Sequence, residues 1–124
     1  MTRDELIRET RRLVEEGERL QRAPSLGGLR LWLQLSDDLL STAWGSMDRY
    51  HLSWLSVGRP KAVRGRGMTP AEEIEYVREV AEQKTAALRM SLKAADEQRM
   101  PFRGETGAGL GEGQGMGDVP GRER

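Results

Sequence analysis

The stretch LRLWLQLSDDLLSTAW, residues 29–44, is the most apolar part of the chain, and its reading decides the fold. Leu29, Leu31, Leu33 and Leu35 alternate, and taken alone a period of two describes a half-buried strand. No other segment supplies a Val- or Ile-rich partner, however, and a lone strand would leave its backbone donors and acceptors unpaired. Leu39, Leu40, Ala43 and Trp44 then continue a helical period from Trp32 and Leu33. The stretch therefore predicts a helix over about 29–44, apolar around most of its circumference, and such a helix belongs at the centre of a bundle.

Upstream, Ala23-Pro24-Ser25 and Gly27-Gly28 read as a turn, preceded by a helix over about residues 3–22. Thr2 stands three positions before Glu5, a capping-box spacing that ties up otherwise unpaired amide donors at a helix start. Leu6, Thr10, Leu13, Gly17 and Leu20, joined by Ile7 and Val14, recur at three and four and make one stripe along about 30 Å of helix. Gly17 costs roughly 1 kcal/mol against Ala inside a helix. Close packing by a neighbouring backbone or a Trp would offset that cost. Asp4–Arg8, Glu15–Arg19 and Glu18–Arg22 are acid-first pairs four apart on the solvated face, worth a few tenths of a kcal/mol each.

Downstream, Gly45 interrupts the pattern and Ser46 stands where it would cap a shorter helix over about 47–57, with Tyr50, His51, Trp54 and Leu55 on one side. Residues 58–68 read as a loop, rich in Gly and holding Pro60. Thr69-Pro70-Ala71-Glu72 then combines a capping-box pair with Pro at the first helical position, where its missing amide hydrogen is no loss. The stripe Ile74, Val77, Ala81, Leu88, Leu92 and Ala95 carries this last helix to about Arg99, a length of about 45 Å. A partner of about 25 to 30 Å leaves about 15 Å of that stripe over. Either the short third helix or a second subunit covers it, and the second choice makes the protein a homodimer.

The fold class so predicted is all-α: a three- or four-helix bundle over residues 1–103, followed by a flexible Gly-rich tail, 104–124. Ordering those 21 tail residues costs about 20 to 40 kcal/mol of backbone entropy. Burying Leu110, Met116 and Val119 would return only about 5 to 9 kcal/mol.

Composition excludes several chemistries. With no Cys among 124 residues there is no disulfide, thiolate nucleophile or Cys-ligated zinc. The start MTRDELIRETRRL has no apolar run behind its charges and no stretch is long enough to span a bilayer, so a cytoplasmic protein making no membrane contact is expected. Asp37-Asp38 and Glu72-Glu73 are adjacent acids, which point about 100° apart on a helix and do not converge on one atom. His51 is the single His, three residues after Asp48, and an Asp-x-x-His pair orients an imidazole or gives two metal ligands. A zinc site needs three or four, so packing or capping is the preferred role, and no metal or cofactor is expected. No GxSxG elbow, SxxK or phosphate-cradling GxxxxGK[ST] accompanies the serines, which argues against an enzyme.

The 20 basic and 20 acidic residues cancel overall, but Arg59, Lys61, Arg64 and Arg66 stand together in 58–68 without one acid. Two readings follow. The loop contacts phosphates of a nucleic acid, weakly and without sequence preference, or it is a solvated loop neutralised by Glu72, Glu73 and Glu75 at the next helix start. Of the three tryptophans, Trp32 and Trp44 are expected to supply core bulk, while Trp54 is divided between core and a partner-binding surface.

Trp32, Leu39-Leu40 and Trp44-Gly45 form W-x6-LL-x3-WG behind the segment LVEEGERL, residues 13–20. Over roughly residues 13–60 this resembles small all-helical bacterial or phage-borne proteins, some of them HEPN-like domains that accompany defence systems. The ribonuclease of that group needs an Arg several residues before a His. Here Arg49 precedes His51 by only two, so the resemblance does not bring the nuclease motif with it. The expected function is a non-enzymatic protein-interaction or regulatory protein of a bacterial or phage system, working through helix faces and Trp54. The alternative is a weak nucleic-acid binder using Arg59, Lys61, Arg64 and Arg66.

Overall fold

A computed structural model describes residues 1–58 and 67–106, and these form four α-helices with no strand among the described residues. They are α1 (Arg3–Arg22), α2 (Leu26–Ala43), α3 (Arg49–Ser56) and α4 (Pro70–Asp96). Both predicted capping boxes are formed, Thr2 with Glu5 on α1 and Thr69 with Glu72 on α4. No helix is long and apolar enough to cross a membrane among the described residues.

Three boundaries differ from the sequence expectation, each for a local reason. The second helix begins at Leu26 rather than Leu29, because the Ser25 hydroxyl accepts from the Gly28 amide at 3.1 Å and draws both glycines into the first turn. The third begins at Arg49, after a turn in which Gly45 and Met47 take left-handed backbone (φ 108 and 66) and Asp48, not Ser46, holds the cap position. The fourth stops at Asp96, short of Arg99, whose φ of 50 turns the chain away from the helix axis.

Helices α1 and α4 form the most extensive interface and run antiparallel. Gly17 lies against Thr85, Glu18 pairs with Arg89, and Arg11 bonds Asp96 at 2.7 Å, so rising numbers on one helix meet falling numbers on the other. At its far end Arg78 donates to the carbonyl of Gln21 at 3.2 Å. Beyond this point the first two turns of α4, about 12 Å of helix, run past α1. Val77 there and Val80 one turn further on are buried; α3 meets α4 through Trp54 on Lys84, and Gly58 just after α3 lies against Val80. The predicted overhang thus reduces to Ile74, which is 44% exposed.

Helix α2 is fastened to this pair by its tryptophans. The Trp32 indole donates to the Leu13 carbonyl of α1 at 2.8 Å, and Trp44 donates to the Ser91 hydroxyl of α4 at 2.9 Å. Trp32, Leu40 and Trp44 are all buried, so the W-x6-LL-x3-WG motif is a packing motif in this chain. A strap after α4 closes the bundle. Phe102 packs edge-on against Trp44, the Gly104 amide donates to the Ala43 carbonyl, and Thr106 donates to Met1. Arg3 clamps it, donating to the carbonyls of Ala95 and Met100 at 3.0 Å each. Gly104, Glu105 and Thr106, which the sequence places in the tail, therefore belong to the bundle; residues 107–124, the rest of the predicted flexible tail, lie outside the described residues.

Candidate functional site

Of the predicted binding residues, Arg59, Lys61, Arg64 and Arg66 lie outside the described residues. Trp54 is described, and it is not on the surface. Its indole is 4% exposed, stacks on His51 with the planes 11° apart, and carries the Lys84 ammonium 4.0 Å from the ring centre. The same ammonium bonds the Trp54 carbonyl. The divided reading of Trp54 resolves to core, because a cation and an imidazole already occupy the ring's surroundings and a partner protein has no access to its faces.

His51 is buried, and its partner is not Asp48. Its Nε2 meets the Asp37 carboxylate of α2, and its Nδ1 accepts from the Met47 backbone amide at 2.9 Å. That amide can only donate, so Nδ1 is the acceptor and Nε2 carries the proton that Asp37 receives. Both ring nitrogens are thereby engaged, and the one basic lone pair, on Nδ1, is occupied by the Met47 amide and not left to take a proton from a substrate. The pair staples α2 to the turn before α3. Nearby hydroxyls bond back to their own helices: Ser41 donates to the Asp37 carbonyl at 2.8 Å and Ser56 to the Leu52 carbonyl at 2.6 Å. No group of three or more His, Cys, Asp or Glu is placed to hold a metal among the described residues. Asp37, read from the sequence as solvated helix face, is thus a structural partner; it is separated from His51 by a turn whose shape no sequence pattern announces.

A different surface has the character of a binding site. Helix α2 is apolar around most of its circumference, as its sequence predicts, yet it is not central: α1, α3 and α4 cover one side only. Leu29, Trp32 and Leu40 face inward and are buried. Leu31 and Leu35, one helical turn apart on the opposite side, are 62% and 49% exposed. Between α2 and α1 lies a groove of about 430 Å³ whose apolar walls are Leu13, Leu20, Leu31, Trp32 and Leu35. Arg12, Glu16 and Arg19 stand along its rim, and Glu16 is bonded to Arg19 at 2.6 Å. The clue was in the sequence: four alternating leucines are more than one buried face of a helix can hold.

Comparison with family models, with curated proteins and with solved structures finds no match to this chain. The candidate site therefore stands on its own geometry.

Proposed function

We propose that this chain is a non-enzymatic interaction protein, an accessory or regulatory factor of a bacterial or phage system, whose contact surface is the outward face of α2 and the groove beside it. The observation that carries this reading is the uneven burial of α2, with Leu31 and Leu35 left in solvent over a groove floored by Leu13, Leu20 and Trp32. Two neighbouring leucines about half in water retain about half of the free energy that burial releases, which is about 1.5–3 kcal/mol for each side chain fully buried. A partner supplying apolar side chains at helical spacing gains that energy by filling the groove. Of the charged groups on the groove's rim, Glu16 is already paired with Arg19, which suits contact better than chemistry.

A photo-reactive residue at position 35, introduced in the native host, tests the reading. Discrete adducts are expected from position 35 and not from the exposed Met90 position on α4. The same adducts from both positions, or none from position 35, would refute it. A second reading places Arg59, Lys61, Arg64 and Arg66 on a nucleic-acid backbone, supported by their run without acids in 58–68. Retention on heparin that disappears in Arg64→Glu/Arg66→Glu supports that reading, and no retention at low salt removes it.

A further inference from the structure

We propose that the turn joining α2 to α3 is a proton-operated switch: when His51 binds a proton from solvent at Nδ1, the ring releases the Met47 amide and offers its new N–H to the Asp48 carboxylate. This device lies away from the contact surface on α2 and does not depend on it.

The turn is tight and strained. The Asp48 amide donates to the Gly45 carbonyl at 3.1 Å, which makes Met47 the third of four turn residues, and its φ is 66. A left-handed third position is usually filled by Gly or Asn, because a Cβ there crowds the following carbonyl. Packing does not offset the strain, since the Met47 side chain is 58% exposed. What holds the residue is its amide, which donates to His51 Nδ1 at 2.9 Å. His51 is the third residue of α3, the place from which a Glu or Gln reaches back to the backbone of a helix cap. Here an imidazole reaches back one residue further, and it can do so only while Nδ1 is bare.

An imidazolium carries two N–H groups and no acceptor. Nε2 already gives its proton to Asp37 and keeps that partner in both states, so the tie between α2 and α3 survives. At Nδ1 two donors would face each other, and the Met47 amide must leave. An acceptor for the new N–H stands close in sequence. Asp48 holds the cap position of α3, three residues before His51, a spacing that puts the two side chains on one side of the helix start. Its carboxylate nevertheless caps no α3 amide and takes part in no hydrogen bond or ion pair among the described residues. The charges around the ring divide. Asp37 of α2 and Asp48 favour the imidazolium, while two cations oppose it: Lys84 of α4, on the Trp54 ring that stacks on His51, and Arg49 of α3, over the Tyr50 ring. Of these four groups only Asp37 is hydrogen-bonded to the imidazole, so the charge in direct contact is one that favours the proton.

Titration of the nitrogen-labelled full chain by NMR from about pH 8 to about pH 5, the span in which imidazoles change charge, tests the switch. Ring nitrogen shifts show when Nδ1 takes its proton. Amide exchange, taken relative to the free-peptide rate at the same pH, shows what Met47 does. Met47 protection is expected to fall about tenfold in step with the ring, as for the loss of one hydrogen bond, while the Glu72 amide at the cap of α4 keeps its own. His51→Gln supplies a carbonyl acceptor that does not titrate, so Met47 protection should become flat over the same span. Asp48→Ala removes the second acceptor, and the Met47 response should move to lower pH. A ring that protonates without change at Met47, or an Nδ1 still bare at about pH 5, would overturn the switch. So would a Met47 response that survives in His51→Gln or stays unmoved in Asp48→Ala.

Discussion

Gly17→Ala adds one methyl group where α1 lies closest to its neighbours. In an exposed helix that change would stabilise by about 1 kcal/mol. Here the new Cβ would stand 1.9 Å from the Thr85 hydroxyl oxygen and 2.8 Å from Cζ2 of Trp32. Ordinary contact between carbon atoms is about 3.5–4.0 Å, so both neighbours must move. Rotation gives Thr85 only partial relief. It is fully buried, one χ1 rotation brings its methyl group to where the hydroxyl was, and its Cβ stands 3.2 Å from the new atom in every rotamer. Moving α1 away from α4 strains the bond from Trp32 to the Leu13 carbonyl. Overpacking of this kind costs up to about 3 kcal/mol, which leaves a net loss of about 1–2 kcal/mol after the helical gain. For a domain of this size that is a fall of about 5–15 °C in melting temperature. Thr85→Ala removes the nearest atom, and it costs little alone because the lost methyl group is offset by the loss of a buried hydroxyl that has no hydrogen-bond partner. The double variant should recover about 1 kcal/mol or more relative to the sum of the singles. Urea unfolding followed by tryptophan fluorescence measures all four proteins. A Gly17→Ala variant as stable as the parent, or strictly additive effects, would refute the close-approach argument.

Arg3→Ala should release the strap after α4, since one guanidinium serves the carbonyls of Ala95 and Met100 and lies 5.3 Å from the Phe102 ring centre; proteolysis between Arg99 and Arg103 should accelerate while α1 persists. Asp37→Asn replaces the carboxylate that receives the His51 proton and should cost about 1–2 kcal/mol, read by the same urea unfolding, with loss of amide-exchange protection at Met47. Glu5 has its carboxyl held below the ordinary range by the Thr2 amide and hydroxyl, so its contribution is complete above the unfolded-chain value near pH 4 and is lost as pH falls through the lower folded value. Protection of the amides in the first turn of α1, taken relative to the free-peptide exchange rate at the same pH, should therefore fall below about pH 4, and Glu5→Gln should flatten that dependence.

What the sequence discloses here is what can be decided within a few residues. Thr2 with Glu5 and Thr69 with Glu72 are three apart, and their caps form from local geometry that nothing distant opposes. The stripe from Leu6 to Leu20 is likewise legible, and so is the oddity of Gly17, which Trp32 and Thr85 explain once the helices are in place. The contacts that escape a linear reading are those spanning a change of direction. His51 finds Asp37 rather than Asp48 because Met47, a residue with no particular liking for left-handed backbone, turns the chain at φ 66. Arg3 reaches Met100 from the other end of the chain, and nothing in either neighbourhood points to the other. The predicted central position of α2 fails for a related reason: periodicity tells that a helix is apolar on several sides, but the number of neighbours around it depends on how all the others are connected.

That failure is also what leaves the proposed contact surface in solvent. In a bundle where α2 were surrounded, the leucines at 31 and 35 would be unremarkable core, and the chain would offer solvent little beyond charge. The short α3 and the strap after α4 occupy the positions near the end of α2, at Trp44 and Asp37, and leave its middle uncovered. Substituting Leu31 or Leu35 by a polar residue should therefore leave folding almost untouched, within about 0.5 kcal/mol, as for any exposed position. The chain keeps two large apolar side chains where folding does not need them, over a groove of about 430 Å³. Under the proposed function, association is what draws on that unburied surface.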